Sequence, residues 1–420
     1  MSVLKVVVLT AILTWTGCQK RPEISLPMPE KSSSLFDQVV LPDDVLYDKV
    51  LGALVGSAIG DAMGASTEMW HRNDIQRQYG YITGLTNATR VKSPEGTWRH
   101  NMIAGATTDD TRWKYFMTQY IEEYRATPNA DNFAEFIVAY YQAQLSAISD
   151  KTVQQSTDLF DDHIGQIDWI KEWARVALAY QKSSKDYNRA QARFYGGEMS
   201  CAGMLYAPMF GLIVSEPTIA YEQAFDHALF DIGYAKDISG LTAAMTNMAM
   251  RTTNIDSIIN IILFVDPYDY KDSRLIGRLT EQIVQSTHSM VIEAKAQSSP
   301  IIEIEAPATF IGSELEWSQL QHIYNALEGD QRAIAFHAGE IFQILIAGLY
   351  YGEGDFIKTM QFIVNYGRDN DTVAAVAGII LGTKDGFSNL PVDIRDEVLR
   401  VNRELIGIDL ELLAKQIMEK

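Results

Sequence analysis

Four glycines spaced by four, Gly52, Gly56, Gly60 and Gly64, stand inside the apolar run Leu51-Gly-Ala-Leu-Val-Gly-Ser-Ala-Ile-Gly-Asp-Ala-Met-Gly64. At about 3.6 residues per turn they share one face of a helix. Each costs a helix roughly 1 kcal/mol against alanine, so the stripe is tolerable only where a second element approaches closely enough to offset that cost. A membrane dimer is the other use of such a stripe; Asp61 and the length of the run argue against it. The segment therefore predicts a buried helix at the centre of an all-α, single helical domain. Glu68 follows one turn later, in Gly64-Ala-Ser-Thr-Glu68.

Helical periodicity recurs further on. Trp113, Phe116, Met117, Tyr120, Ile121 and Tyr124 fall at i, i+3, i+4, i+7, i+8 and i+11. More helices are expected near 131–147, 166–182, 217–231, 235–251, 271–297, 314–328, 331–351 and 354–366, then after Asp371 and twice more at the C-terminus. Residues 71–106, with the turn Pro94-Glu95-Gly96, read as a long surface loop, and Ile301–Ile304 as the one extended segment. Phe194–Ala207 reads as a glycine turn leading into a small-residue helix. Its Gly196 and Gly197 would either bring backbone N–H groups to a ligand or simply turn the chain. No linker or repeat interrupts this pattern, which predicts one helical domain over 44–420.

Apolar residues make up 47% of the 420 and prolines number 12, a composition that supports a sizeable core. With 35 basic against 54 acidic residues the net charge is −19, which disfavours nucleic acid and anionic lipid surfaces as partners. Met1–Gly17 reads as a secretory signal: Lys5, an apolar run, then small residues before Cys18. Thr16-Gly17-Cys18 resembles a bacterial lipobox, with Trp15 where leucine is usual, and predicts lipidation at Cys18. The alternative is an uncleaved apolar N-terminus. Residues 18–43, with prolines and Ser32-Ser33-Ser34, read as a flexible tether. The expectation is export and lipid anchoring in the bacterial cell envelope, with membrane contact only through the lipid and the protein a monomer. Cys201 is then the one remaining cysteine, so neither an internal disulfide nor a thiolate zinc site is available.

Thr108-Asp109-Asp110-Thr111 and Asp369-Asn370-Asp371-Thr372 each place acids and hydroxyls at the start of a predicted helix. Either motif alone reads as an N-cap or as part of a hard-cation site. Their recurrence in one chain points to two halves of one site. Asp109, Asp110, Asp369 and Asp371 with Thr108 and Thr372 would suit a pair of divalent cations, Mg²⁺ or Mn²⁺ rather than zinc, because every donor is oxygen. Two such ions activate water and polarise a substrate oxygen. No histidine lies in either motif, and no GxSxG, Walker or GxGxxG pattern occurs.

The set resembles the ADP-ribosylglycohydrolase family, all-helical binuclear magnesium or manganese enzymes. Four segments carry the resemblance: Gly52–Glu68, Thr108–Thr111, Tyr195-Gly-Gly-Glu-Met-Ser-Cys-Ala-Gly203 and Gly367-Arg-Asp-Asn-Asp-Thr-Val-Ala-Ala-Val-Ala-Gly378. It implies Thr108, Asp109, Asp110, Asp369, Asp371 and Thr372 as ligands of two Mg²⁺ (or Mn²⁺). It implies catalytic roles for Glu68, Asp110 and Asp369, with Glu68 over the metals handling a proton or gating the site. Gly196, Gly197, His227 and Arg368 become substrate-binding candidates. The implied reaction is hydrolysis at C1″ of the proximal ribose of an ADP-ribosylated protein or an ADP-ribose-like small molecule. An alternative keeps the metals but cleaves another ribosyl or phosphate-containing compound; a non-catalytic ADP-ribose-binding descendant is the third reading. Three departures bear on this. Arg368 stands where the family usually has a second glycine, Ser200 replaces the arginine common in Gly-Gly-x-Met-Arg, and His227–Tyr234 matches the family's histidine segment only loosely. Arg368 is therefore expected to enter or flank the pocket.

Overall fold

The computed structural model describes residues 39–87, 103–149, 157–301 and 304–419. The glycine-striped segment forms α1 (Asp43–Gly64), followed by β1 (Trp70–His71), α2 (Arg72–Tyr79), α3 (Asp109–Tyr124), α4 (Ala130–Ser149), α5 (Thr157–Lys182) and α6 (Ser184–Phe194). Two 3-10 turns (Ala202–Leu205 and Ala207–Leu212) lead to α7 (Pro217–His227), α8 (Ala235–Ala249) and α9 (Ile255–Ile259). Then come α10 (Leu279–Lys295), α11 (Glu314–Gly329), α12 (Ala338–Gly352), α13 (Phe356–Tyr366), β2 (Gly367–Arg368), α14 (Asn370–Asp385), α15 (Val392–Val401) and α16 (Leu410–Met418). Among the described residues the two short strands form one antiparallel pair, Trp70 opposite Arg368 and His71 opposite Gly367.

The partner demanded by the glycine stripe is α14. A Cβ at Gly52, Gly56, Gly60 or Gly64 would overlap backbone atoms of Gly382, Gly378, Ala374 and Asp371 respectively. The reversed order of these contacts makes the two helices antiparallel. Gly378 and Gly382 return the arrangement, each lying against the backbone of α1 at Gly56 and Gly52. Both helices are buried along almost their whole contact length. This approach carries the start of α14, and with it Asp371, to the end of α1. In the same core α3 meets α5: the Trp113 ring lies against Trp169 and Trp173 with centroids 5.3 Å and 4.7 Å apart, both edge-on, the geometry aromatic quadrupoles favour.

Several boundaries differ from expectation for local reasons. The expected loop from 71 contains α2, capped by His71, whose Nδ1 accepts from the Asn73 N–H. Helix α10 begins at Leu279, not near 271. Gly277 is left-handed (φ +72°), and Arg278 is held by the buried Asp237 carboxylate through Nε (3.0 Å) and Nη2 (2.5 Å). Helix α12 begins at Ala338, not near 331, with His337 Nδ1 accepting from Gly339 N–H at its start. The small-residue segment after Gly196-Gly197 forms two 3-10 turns broken at Tyr206, with Pro208 in the first positions of the second, instead of a longer helix. Of the expected extended segment, Ile301 and Ile304 are not in a strand, and Ile302 and Glu303 lie outside the described residues. So do the signal and Cys18, the tether up to 38, and the turn at Pro94–Gly96. Among the described residues no helix is long and apolar enough to cross a membrane.

Candidate metal centre

Helix starts α3 and α14 bring the two acidic motifs face to face. The Thr372 hydroxyl donates to Asp110 (3.1 Å), and the Thr108 hydroxyl donates to Asp371 (3.4 Å). Each motif thus spends its hydroxyl on a carboxylate of the other. Thr108 also caps α3, accepting from the Asp110 N–H (3.4 Å). Asp369, at the N-cap of α14, makes no capping bond with its side chain. Helix capping therefore accounts for Thr108 and leaves the Asp369 carboxylate otherwise engaged.

Glu68 completes the cluster from the strap between α1 and β1. Its carboxylate and those of Asp369 and Asp371 offer oxygens all within 4.8 Å of one another. The cleft above is lined by Glu68, Asp109, Asp110, Asp369, Asp371 and Thr372, with Trp173, Tyr195, Phe336 and Cys201 among its walls. Asp110, Asp369, Asp371 and both threonines are buried.

Four further residues hold this arrangement, and sequence reading gave none of them a role in it. Asp61, fully buried on α1, accepts from the Thr108 N–H (2.9 Å), the Thr111 N–H (3.0 Å) and the Thr111 hydroxyl (2.6 Å). It therefore fixes the first motif to the glycine helix. Its charge inside an apolar glycine run was the signal, read only as an argument against a membrane span. Lys114, one turn into α3 and buried, lies 3.4 Å from Asp110. Cys201 points its thiol at Asp369 (Sγ–Oδ2 3.3 Å). Asn370 donates to the Thr67 hydroxyl (2.8 Å) and to the Val364 carbonyl (2.9 Å), tying the second motif to the strap beside Glu68.

Burial dominates the electrostatics. It pushes the Asp369 carboxyl up to about 7, with the Asp110 charge adding to the effect. It raises Asp110 well above the usual carboxylate range; Lys114 opposes, while Asp371 and Asp61 add. Asp61 is raised by the same desolvation against the hydrogen bonds it accepts, and the Cys201 thiol is pushed up by burial and by Asp369. Carboxylates gathered out of water without enough positive charge are costly. An oxygen-only donor set in that state fits hard divalent cations, which neutralise the cluster where one lysine cannot.

The expected substrate residues fall elsewhere. Gly196 and Gly197 form an exposed left-handed turn (φ +65° and +87°). Tyr195 and Ser200 on either side of it line the cleft, whereas the glycines themselves are not in its wall. His227 is a core residue, a correction to its expected contact with substrate. Its Nε2 lies 2.9 Å from the Tyr120 hydroxyl and its Nδ1 2.6 Å from the Gln223 carbonyl, and burial lowers its pKa to about 4. Arg368 flanks the cleft without entering its wall. Its Nε and Nη2 fork onto Glu340 (2.5 and 3.0 Å). The Ser200 hydroxyl is buried with no hydrogen-bond partner.

The chain belongs to the ADP-ribosylglycohydrolase family, whose model matches residues 42–420. ADP-ribosyl-[dinitrogen reductase] glycohydrolase of Rhodospirillum rubrum is similar to it, 36% identical over 66 residues that make up 16% of this chain and 19% of that protein. The match thus spans 19% of that relative's length. A solved structure of an ADP-ribosylglycohydrolase-related protein complex aligns over 89% of this chain and 98% of its own, at 16% identity and a TM-score of 0.49.

Proposed function

We propose that this chain is a magnesium-dependent hydrolase that cleaves the glycosidic bond at the proximal ribose of ADP-ribose conjugates, an ADP-ribosylated side chain or a related compound. The observation that carries the reading is the reciprocal hydroxyl–carboxylate exchange between Thr108/Asp110 and Asp371/Thr372, set beside membership of the family. Thr108, Asp109, Asp110, Asp369, Asp371 and Thr372 would hold two divalent cations. Those ions would supply Lewis acidity toward a ribose hydroxyl or a water oxygen.

The chain's own groups do the rest. Glu68 takes the proton from the attacking water at its carboxylate, the position a general base needs, and returns it to the leaving group. Lys114 and Cys201 hold the Asp110 and Asp369 carboxylates in place. Trp173, Tyr195 and Phe336 wall the cleft, exclude water and offer flat apolar faces to the sugar and base. Ser200, standing where the resemblance leads one to expect arginine, leaves the leaving-group side without that cation. This favours a neutral or small leaving group over an acidic one. The N-terminus would carry the enzyme to the envelope as a lipoprotein anchored through Cys18.

Incubation with Mg²⁺ and either an ADP-ribosylated arginine peptide or a panel of ribosyl nucleotides tests the reaction. Free ADP-ribose should appear by mass spectrometry with wild type and not with Glu68→Gln. Cleavage of the nucleotide panel alone would move the assignment to another ribosyl substrate. No cleavage of either would leave only the binding role.

A further inference from the structure

The strap that carries Glu68 is short, and its contact with β2 is made between two residues in unfavourable backbone. Met69 and Arg368 face each other at the head of the β1–β2 pair, where the Met69 N–H donates to the Arg368 carbonyl (2.6 Å). Both have left-handed φ of +64°, a region that disfavours any residue with a Cβ and persists only where the surroundings over-determine it. A ladder two residues long does not supply that by itself. Glu68 immediately precedes one of these residues, and Asp369 immediately follows the other.

The side chain of Arg368 supplies the missing constraint. Its Nε and Nη2 fork onto Glu340 (2.5 and 3.0 Å), and Nη2 also reaches the Arg332 carbonyl (3.1 Å). The Glu340 side chain is 3% exposed and that of Arg368 21%, so the pair is largely shielded from screening. Glu340 accepts in addition from the Arg332 N–H (2.7 Å). It thereby fixes the loop before α12, which in turn holds the segment leading to Cys201. Cys201 N–H donates to the Phe336 carbonyl (2.9 Å) and Ala338 N–H to that of Met199 (2.8 Å). One carboxylate at the start of α12 thus joins the strap bearing Glu68, the backbone of Asp369 and the thiol that bonds Asp369.

We propose that Arg368 and Glu340 form a positioning clamp that sets the spacing of the Glu68 and Asp369 carboxylates, and that Arg368 acts through its backbone instead of touching substrate. The proposal rests on the function proposed above only for the task given to Glu68. A glycine at 368 would adopt the same φ without strain but would have no side chain to fix it, so the charged pair trades conformational freedom for a fixed distance. The fork is the reason for arginine: lysine keeps the charge and loses the bidentate geometry.

The test uses Glu340→Gln/Arg368→Gln, which removes both charges and leaves no buried ion unpaired, beside Arg368→Lys. In EDTA, hydrogen exchange at the Met69 amide should accelerate at least about tenfold in the double variant and less in Arg368→Lys, while α14 keeps its protection. Mn²⁺ affinity measured by electron paramagnetic resonance should fall about tenfold. Asp369→Asn should lower that affinity in the wild-type background and far less in the double variant, because coupled groups fail together. Unchanged exchange at Met69, loss of protection throughout α14, or strictly additive Mn²⁺ losses would each overturn the clamp. Neither readout needs substrate, so a wild type that cleaves no ADP-ribose conjugate would sink the proposed reaction and leave the clamp standing or falling on its own results.

Discussion

The floor and the strap of the cleft are built by different physics. The floor, where Asp61, Asp110 and Asp371 sit, is fixed by backbone-to-backbone packing of α1 on α14 and by hydrogen bonds wholly out of water. The strap, which carries Glu68, is fixed from outside by charged forks. Arg368 is held by Glu340, and at the other end Arg72 is held by Glu328 (2.7 and 2.9 Å) and by Gln321 (2.9 Å). Close packing resists any added volume but is blind to salt. A charged fork tolerates volume but depends on pairing and geometry. The difference places volume-sensitive packing under the candidate ligands and geometry-sensitive charge pairing beside Glu68, the group proposed to handle the proton.

The floor should fail first when volume is added. Gly60→Leu pushes a side chain into the Ala374 carbonyl and should cost about 3 kcal/mol by urea denaturation, the upper part of the usual range for overpacking. Gly329→Ala, where an added Cβ would meet nothing outside its own helix within 4 Å, should change stability little. Equal losses at both positions would erase the contrast.

Metal removal should come next. Saturating Mg²⁺ or Mn²⁺ at about a hundredfold over Kd should stabilise wild type by about 2.7 kcal/mol, read as a rise in Tm. Asp109→Asn and Asp371→Asn should each lose most of the rise, and together lose little more. An intact rise in both variants would make the motifs helix caps.

The pH response should separate the two forms of the floor. Asp369 in the metal-free fold is raised to about 7, mainly by burial, above its value in the unfolded chain. The folded state therefore binds its proton more tightly. The stabilisation is fully present below the unfolded pKa near 4 and is lost as pH rises toward 7. In EDTA, stability should fall over that window by at most about 1.4 kcal/mol per pH unit for one carboxyl. With metal bound the trend should reverse, since the ligands must be deprotonated. A flat profile in EDTA would mean the cluster is already neutralised.

The smallest effect belongs to the strap. Arg72→Lys keeps the charge and loses the fork, and should cost about 1 kcal/mol, with a loss of turnover larger than any loss of Mn²⁺ affinity. An effect on Mn²⁺ affinity as large as that of Asp371→Asn would make strap and floor one unit.

Much of this was legible in one dimension because it depends on local spacing. Glycines at 52, 56, 60 and 64 share a face by helix geometry alone, and two acid–hydroxyl motifs announce oxygen chemistry whatever surrounds them. The helical architecture followed from periodicity, and the family from motifs in the order in which they occur. Other features needed neighbours distant in sequence. That α14 is the partner of α1, that Thr108 bonds Asp371 and Thr372 bonds Asp110, and that Asp61 anchors the first motif are tertiary facts. Nothing local distinguishes His227 in a core from a histidine in a cleft; only the ring of Tyr120, Phe133 and Phe210 around it decides. Arg368 makes the point most directly. Its position beside Asp369 suggested a cation entering or flanking the pocket; a left-handed backbone and a buried Glu340 decide for flanking and turn the guanidinium away. Where a side chain points is set by which charge, 28 residues distant in sequence, the fold brings within reach of it.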